Sequence, residues 1–360
     1  MNIFKATTSF EVWLRSRIPV VEADLKRKHE LMAEDEFRFF RGSFYRWTQL
    51  WAKHCPDLAS APSVLAVGDL HVNSFGTWRD KIGRLVWGVD DFDEAYTLPY
   101  TNDLVRLATS ARLAHSLDHL QINSKNACDA ILEGYSDSLR AGGTPIVLED
   151  KNAWFTSIAL SRLDDPPSFW KEMEDNPVLR QPIPSTPKKA WRELFPGHNL
   201  SYRVLKRTAG TGSLGHPRIV AIADWEGGKI ALEAKILAPS ACVWARGSAG
   251  RAVINYQKIM RNAVRCSDPY VRIKENWRIG RLAPDSSPVD IETLPKKREE
   301  DLMLNAMGWE AANIHLGSKR SIRFVQNDLR KRRGDWLREA AKEMAKVVSK
   351  DWKDWRTRKM

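Results

Sequence analysis

Cysteine is scarce and scattered in this chain. Cys55, Cys128, Cys242 and Cys266 lie far apart and form no CxxC pair, which removes a zinc ribbon and a disulfide frame and predicts reduced packing thiols in a cytoplasmic protein. No apolar run approaches the roughly 18 residues of a spanning helix, so none is expected. The opening MNIFKATTSFEVWLRSRIPV is interrupted by charged and polar residues and holds no signal-peptide core. Repeats and low-complexity segments are absent. Acidic residues are missing from Ala241 to Ser267.

What is present suits a sizeable folded body. The 360 residues are 43% hydrophobic and 28% charged, enough for one large domain or two lobes. The net charge of +12 is uneven: residues 330–360 hold twelve Lys/Arg against five Asp/Glu. Such a tail could meet nucleic acid or an anionic membrane. However, Leu337, Ala341, Met344, Val348, Trp352 and Trp355 recur at helical spacing, which predicts a solvated basic helix with one face packed on the body. No recognised nucleic-acid module accompanies it.

Residues 67–94, VGDLHVNSFGTWRDKIGRLVWGVDDFDE, concentrate acid, amide and imidazole groups. An apolar run, 64–67, delivers the chain into Gly68-Asp69-Leu70-His71-Val72-Asn73-Ser74. A second, 85–89, delivers it into Asp90-Asp91-Phe92-Asp93-Glu94. Asp80 to Gly83 reads as a hairpin turn, with Gly83 free to take a positive φ. Two neighbouring strands would then present a carboxylate-amide loop and an acidic loop at one end of a sheet. A divalent cation bound by carboxylates and phosphate oxygens suits that arrangement.

Five segments are expected. Residues 1–60 read as helical, and Phe37 to Trp47 is dense in aromatics and arginines, including Arg41. Residues 61–143 carry the two loops and two helices, 104–119 and 120–140, with Asp103 as N-cap of the first. Residues 144–199 are proline-rich and irregular. Residues 200–290 alternate like strands, with one helix at 248–264. Residues 291–360 return to helix, including 299–316.

Gly210-Thr211-Gly212-Ser213-Leu214-Gly215 is a GxGxxG loop. A dinucleotide fingerprint needs a helix after it, whereas here Pro217 and the β-branched run 218–222 continue as strand. A strand, a glycine loop, a strand and then a strand-borne lysine, Lys235, match the kinase arrangement, in which loop and lysine hold phosphates. A tight hairpin with a solvated lysine is the plainer alternative.

These residues carry a resemblance. Gly68-Asp69-Leu70-His71, Val89 to Asp93 and Pro99 to Leu104 are similar to the HGDxHxxN, IDFD and DP-x-x-DL motifs of the aminoglycoside-phosphotransferase branch of protein-kinase-like folds. The chain looks still more like a bacterial family, domain-of-unknown-function family 2252. The matching segments are Phe40 to Trp47, Gly68 to Gly76, Asp90 to Glu94, Gly210 to Gly215, and Lys235 with Pro239-Ser240. In ordinary kinases the glycine loop and lysine precede the catalytic loop; here they follow it. Residues 307–315 are similar to the helix placed just before that loop.

The resemblance implies an α+β, bilobal, protein-kinase-like fold that is circularly permuted, with a small antiparallel β lobe and a larger helical lobe. It implies ATP and Mg²⁺ as cofactors and a hydroxyl on a small molecule or protein as acceptor. Asp69 would orient or deprotonate that hydroxyl, with His71 beside it in the catalytic loop. Asp91 would bind magnesium, joined by Asp93 and by Asn73 or Ser74. Lys235 would contact phosphates under Gly210, Gly212, Ser213 and Gly215. Asp103 and Arg41 would support the site, Asp103 by bracing the catalytic loop.

Two departures stand out. The family asparagine falls at Ser74, with Asn73 one place early, and a one-residue shift reverses side-chain direction in extended chain. The helix glutamate that pairs with a kinase lysine has no counterpart from 241 to 267, leaving Glu233 or Gln257 as substitutes. AMP transfer uses the same parts with the nucleotide reversed. A nucleotide-binding pseudokinase is a further alternative. So is a metallophosphoesterase, whose first motif resembles 64–71 but whose later paired histidines are missing.

Overall fold

Apolar residues at helical spacing organise the N-terminal region as α1 (Ile3–Arg15), α2 (Glu22–Glu34), α3 (Glu36–Gly42), α4 (Phe44–His54) and α5 (Pro56–Ala59). The helical expectation for 1–60 holds, although breaks fall at 16–21, Asp35 and Ser43, well before Pro56. Asp35 ends α2 and caps α3, its carboxylate accepting from Arg38 N. The computed structural model describes residues 1–151, 165–197, 200–247, 253–286 and 299–357.

After α5 come β1 (Ser63–Ala66), β2 (Phe75–Arg79), β3 (Leu85–Val89) and β4 (Tyr96–Pro99). The two acidic loops were expected on neighbouring strands, and here the structure differs. β1 pairs with β4, while β3 pairs with β2 and with β5 (Ile146–Val147), so β1 and β3 belong to separate sheets. The chain forms β2 immediately after Ser74, and β2 takes the place beside β3. Gly83 closes that hairpin at φ +86°, with Gly83 N donating to Asp80 O at 3.0 Å.

α6 (Tyr100–Ser116) starts four residues before Leu104. Asp103 therefore sits in the first turn, fully buried, and does not cap the helix. α7 (Ser124–Ala141) is capped by the Asn123 side chain and ends on Gly142 in the left-handed region. The irregular segment contributes short helices α8 (Leu148–Lys151), α9 (Pro166–Glu174) and α10 (Ser185–Leu194).

The second half forms an antiparallel sheet in the order β6-β7-β8-β10-β9. Its strands are β6 (Arg203–Lys206), β7 (Arg218–Trp225), β8 (Gly228–Ile236), β9 (Arg272–Lys274) and β10 (Trp277–Leu282). Strand alternation gives the sheet two characters. Ile219, Ala221, Leu232, Ala234 and Ile279 face the main core. In register on the other face stand Arg218, Lys235 and Arg278, then Val220, Glu233 and Gly280. Beyond them that face turns apolar, where Phe169 and Met173 of α9 cover Ile222 and Ala231.

Between β8 and β9 lie α11 (Ala241–Ala245) and α12 (Tyr256–Asn262). The expected 248–264 helix is thus shorter, and 248–252 falls outside the described residues. α13 (Glu300–His315) packs on α7 through two glycines. A Cβ on Gly134 would stand 1.9 Å from Asn305 O, and one on Gly308 would stand 2.1 Å from Ile131 O. α14 (Ile322–Lys331) and α15 (Trp336–Arg356) complete the chain. α15 buries Leu337, Ala341, Met344, Val348 and Trp355 and turns Lys342, Lys346, Lys350 and Lys353 outward. Its end meets the beginning of the chain, Phe4 stacking on Trp355 at 5.8 Å. The architecture is mixed α+β with small antiparallel sheets. No helix among the described residues is long and apolar enough to cross a membrane. Cys55, Cys128 and Cys242 are free and buried, their thiols pushed up by that burial, Cys128 and Cys242 to about 12.

Candidate functional site

The 68–74 loop is held from beneath by Asp103. Its carboxylate accepts from Val67 N at 2.7 Å, Gly68 N at 3.0 Å and His315 Nε2 at 3.1 Å. Tyr135 Oη–H completes the line by donating to His315 Nδ1 at 2.8 Å. Within the loop, Ser74 Oγ accepts from His71 N at 3.0 Å and donates to Asp69 O at 3.1 Å. Ser74 is 2% exposed, its hydroxyl braces the turn, and the residue also lines the cavity described next.

Asp69 projects into a cavity of about 440 Å³ that collects residues from both halves of the chain. Arg106, fully buried, donates to Asp69 Oδ1 from Nε at 2.6 Å and approaches it from Nη2 at 2.5 Å. Its guanidinium lies 4.0 Å from the Phe40 ring centroid and 4.9 Å from those of Phe44 and Trp47. Burial raises the Asp69 pKa even against this cation. Nothing in sequence spacing singled out Arg106, because it reads there as one more residue of a strong helix; its place three positions after Asp103 was the only available signal.

His71 Nδ1 accepts from Asn73 N at 3.2 Å, which leaves the ring proton on Nε2. Burial, then the charges of Arg41 and Arg106, hold its pKa well below the usual range. At neutral pH His71 is therefore an N–H donor and not a base.

The acidic loop supplies Asp90, Asp91 and Asp93 to the same cavity. Asp91 Oδ1 accepts from Asp93 N at 3.0 Å. Burial disfavours its charge, but the Lys235 ammonium and that amide outweigh it, leaving Asp91 below the usual carboxylate range. Burial and the neighbouring Asp91 charge push Asp93 up to about 6, and the two carboxyls lie close enough to share a proton. Burial carries Asp90 to about 7. Glu94 is carried to about 8, and it accepts from Ala241 N at 2.7 Å.

Lys235 reaches this loop from β8. Its Nζ donates to Asp93 Oδ2 at 2.6 Å and stands 3.8 Å from Asp91 Oδ1. The lysine thus pairs with the acidic loop, and neither proposed substitute serves it. Glu233 is held by Arg207, by Arg218 at 3.1 Å and by Arg278 at 3.8 Å, while Gln257 is exposed.

The glycine loop joins β6 to β7 and lines the cavity. Gly210 and Gly215 take φ of +73° and +98°, which their lack of a Cβ permits. A Cβ on Gly212 would stand 3.3 Å from Arg41 O and 3.8 Å from Asp69 Oδ2, so the loop closely approaches the 68–74 loop. Helix α2 ties it down. Lys28 Nζ donates to Gly212 O at 2.7 Å, and Val21 N donates to Gly215 O at 2.9 Å. Ser213 Oγ is already engaged, accepting from Arg218 Nη2 at 2.9 Å.

The donor set can be tested against magnesium. Asp93 Oδ1 is buried and has no hydrogen-bond donor, and beside Asp91 it faces another acceptor. A proton or a cation relieves such a pair. Among the described residues no three His, Cys, Asp or Glu side chains gather into a cage of their own. One or two carboxylates completed by phosphate oxygens are the pattern magnesium adopts, so Asp91 and Asp93 fit it, with Asn73 also in the cavity wall.

Residues 17–175 match the family model described as "Uncharacterized protein conserved in bacteria (DUF2252)". That span covers Arg41, Asp69, His71, Asp91, Asp93, Asp103 and Arg106, and stops before the glycine loop and Lys235. No curated protein and no solved structure matches the chain.

Proposed function

We propose that the chain is an ATP- and magnesium-dependent phosphotransferase with a circularly permuted protein-kinase-like fold, acting on a hydroxyl acceptor. One observation carries this reading. A strand-borne lysine, a glycine loop and two acidic loops meet in one cavity, with Lys235 at 2.6 Å from Asp93 and Gly212 over Asp69. The permutation draws support from the end of α13, where Ser318 Oγ accepts from Leu65 N of β1 at 2.8 Å. A short connection there would restore the usual order of helix, strand and catalytic loop. The meeting of Phe4 and Trp355 fits the same scheme.

Asp91 and Asp93 would hold Mg²⁺, which supplies charge neutralisation at the phosphates. Lys235 and the amides of Gly210–Gly215 would fix the phosphate chain, and Asp69, held by Arg106, would orient the acceptor hydroxyl. The acceptor oxygen bonds to the γ-phosphorus as the bridging P–O bond to ADP breaks. ADP keeps the electron pair, and the hydroxyl proton leaves past Asp69 to solvent.

The test is calorimetric titration of Mg·ATP into wild type and Asp91→Asn, followed by incubation with α- and γ-labelled ATP. Binding weakened by Asp91→Asn, with γ-label transferred, supports the proposal. Transfer of α-label points to AMP transfer, and binding without transfer of either label points to a pseudokinase. No binding up to millimolar ATP would sink the proposal.

A further inference from the structure

At the Asp69 end of the cavity, most charged groups already have partners. Arg106 is bound to Asp69, and Lys28 to the Gly212 carbonyl. Arg41 and His71 are different. Arg41 leaves the last turn of α3 with its guanidinium 5.8 Å from the Phe37 ring centroid, and its Nε is buried with no hydrogen-bond partner. Among the described residues no carboxylate pairs with it. His71 Nδ1 is taken by Asn73 N, so its Nε2–H remains a donor with no protein acceptor among the described residues. Both residues line the cavity.

The site also has two ends. The charge of Arg41 is felt at Asp69 and His71, whereas that of Lys235 is felt at Asp90, Asp91 and Asp93. Asp91 is felt at both ends. Phosphates under the glycine loop belong with Lys235. A second anion, beside the hydroxyl that Asp69 orients, belongs with Arg41.

We propose that Arg41 and His71 Nε2–H form an anion subsite next to Asp69, and that the acceptor is a hydroxylated organic anion bearing a carboxylate or phosphate. This deepens the phosphotransferase reading and rests on it. A half-buried guanidinium that pairs with no carboxylate among the described residues favours an anionic ligand, and the His71 N–H in the same cavity wall offers a second donor to it. A polycation such as an aminoglycoside is then the wrong acceptor.

Inorganic phosphate and Mg·ATP are titrated separately by calorimetry into wild type, Arg41→Gln, Arg41→Lys and Lys235→Met. Thermal unfolding certifies each fold. Phosphate affinity is expected to fall about tenfold or more in Arg41→Gln, the loss of one charge-assisted contact, and to recover in part in Arg41→Lys. Mg·ATP affinity should fall in Lys235→Met and fall much less in Arg41→Gln. Phosphate binding indifferent to Arg41→Gln overturns the subsite. So does Mg·ATP binding that falls as steeply in Arg41→Gln as in Lys235→Met, which would assign Arg41 to the nucleotide. Should Arg41→Lys also fail to fold, phosphate titration of His71→Phe decides, with unchanged affinity overturning the subsite. Arg41-dependent phosphate binding without any Mg·ATP binding keeps the anion subsite and removes the phosphotransferase reading alone.

Discussion

Asp103→Asn should cost far more than a change of one atom suggests. One Asp103 oxygen accepts from Val67 N and His315 Nε2, the other from Gly68 N and Asn102 Nδ2. An asparagine keeps one acceptor and turns an NH₂ group toward two donors, whichever way it is flipped. Two charge-assisted bonds are then lost at about 1.5–3 kcal/mol each, giving a cost of about 3–6 kcal/mol. Against the roughly 5–15 kcal/mol that holds a domain together, this is a large fraction. Urea unfolding followed by tryptophan fluorescence should show a much lower midpoint with an unchanged slope. Hydrogen exchange should show faster opening at the Val67 and Gly68 amides. A loss below about 1 kcal/mol would refute the bracing role, since a single such bond is worth more than that.

Gly134→Ala should destabilise, although alanine in a helix is ordinarily better by about 1 kcal/mol. The new Cβ would meet Asn305 O at 1.9 Å, and a melting temperature at or above wild type would contradict the close α7–α13 crossing. Burial lifts Glu310 from 4.5 to about 7, so the native state holds an extra proton in that window and stability falls as pH rises through it. Glu310→Gln should remove a fall on the order of 2–4 kcal/mol between about pH 4 and 8, read from unfolding midpoints; an unchanged pH profile would count against it. Lys235→Met should weaken Mg·ATP binding about tenfold or more, as one charge-assisted contact is removed, and affinity within twofold of wild type would detach Lys235 from the nucleotide.

Much of this was legible because period and punctuation agree. The β-branched run 218–222 and the strand alternation through Lys235 made β7 and β8 legible, and helical spacing over 120–140 made α7 so. Only the apolar runs 64–67 and 85–89 stand out as strands in the sequence, so β1 and β3 are expected side by side; Phe75–Arg79, short and containing a glycine, takes the place beside β3 instead. The acid–lysine pairing of Asp93 and Lys235 spans 142 positions, so only their separate motifs could be read. Arg106 was hidden for another reason. A buried arginine is written in the same letters as an exposed one, and the three aromatics that enclose it come from α3 and α4, far from it in sequence.

The ties between α2 and the glycine loop make the roof of the cavity part of a longer mechanical train. Trp355 Nε1 donates to His29 O of α2 at 3.2 Å, the same helix whose Lys28 grips Gly212. A substitution on the last helix is therefore expected to be felt, through one turn of α2, at the backbone near Asp69. On this geometry the basic C-terminal helix would serve as a buttress for that roof, and shortening it should slacken the loop even where no charge is removed.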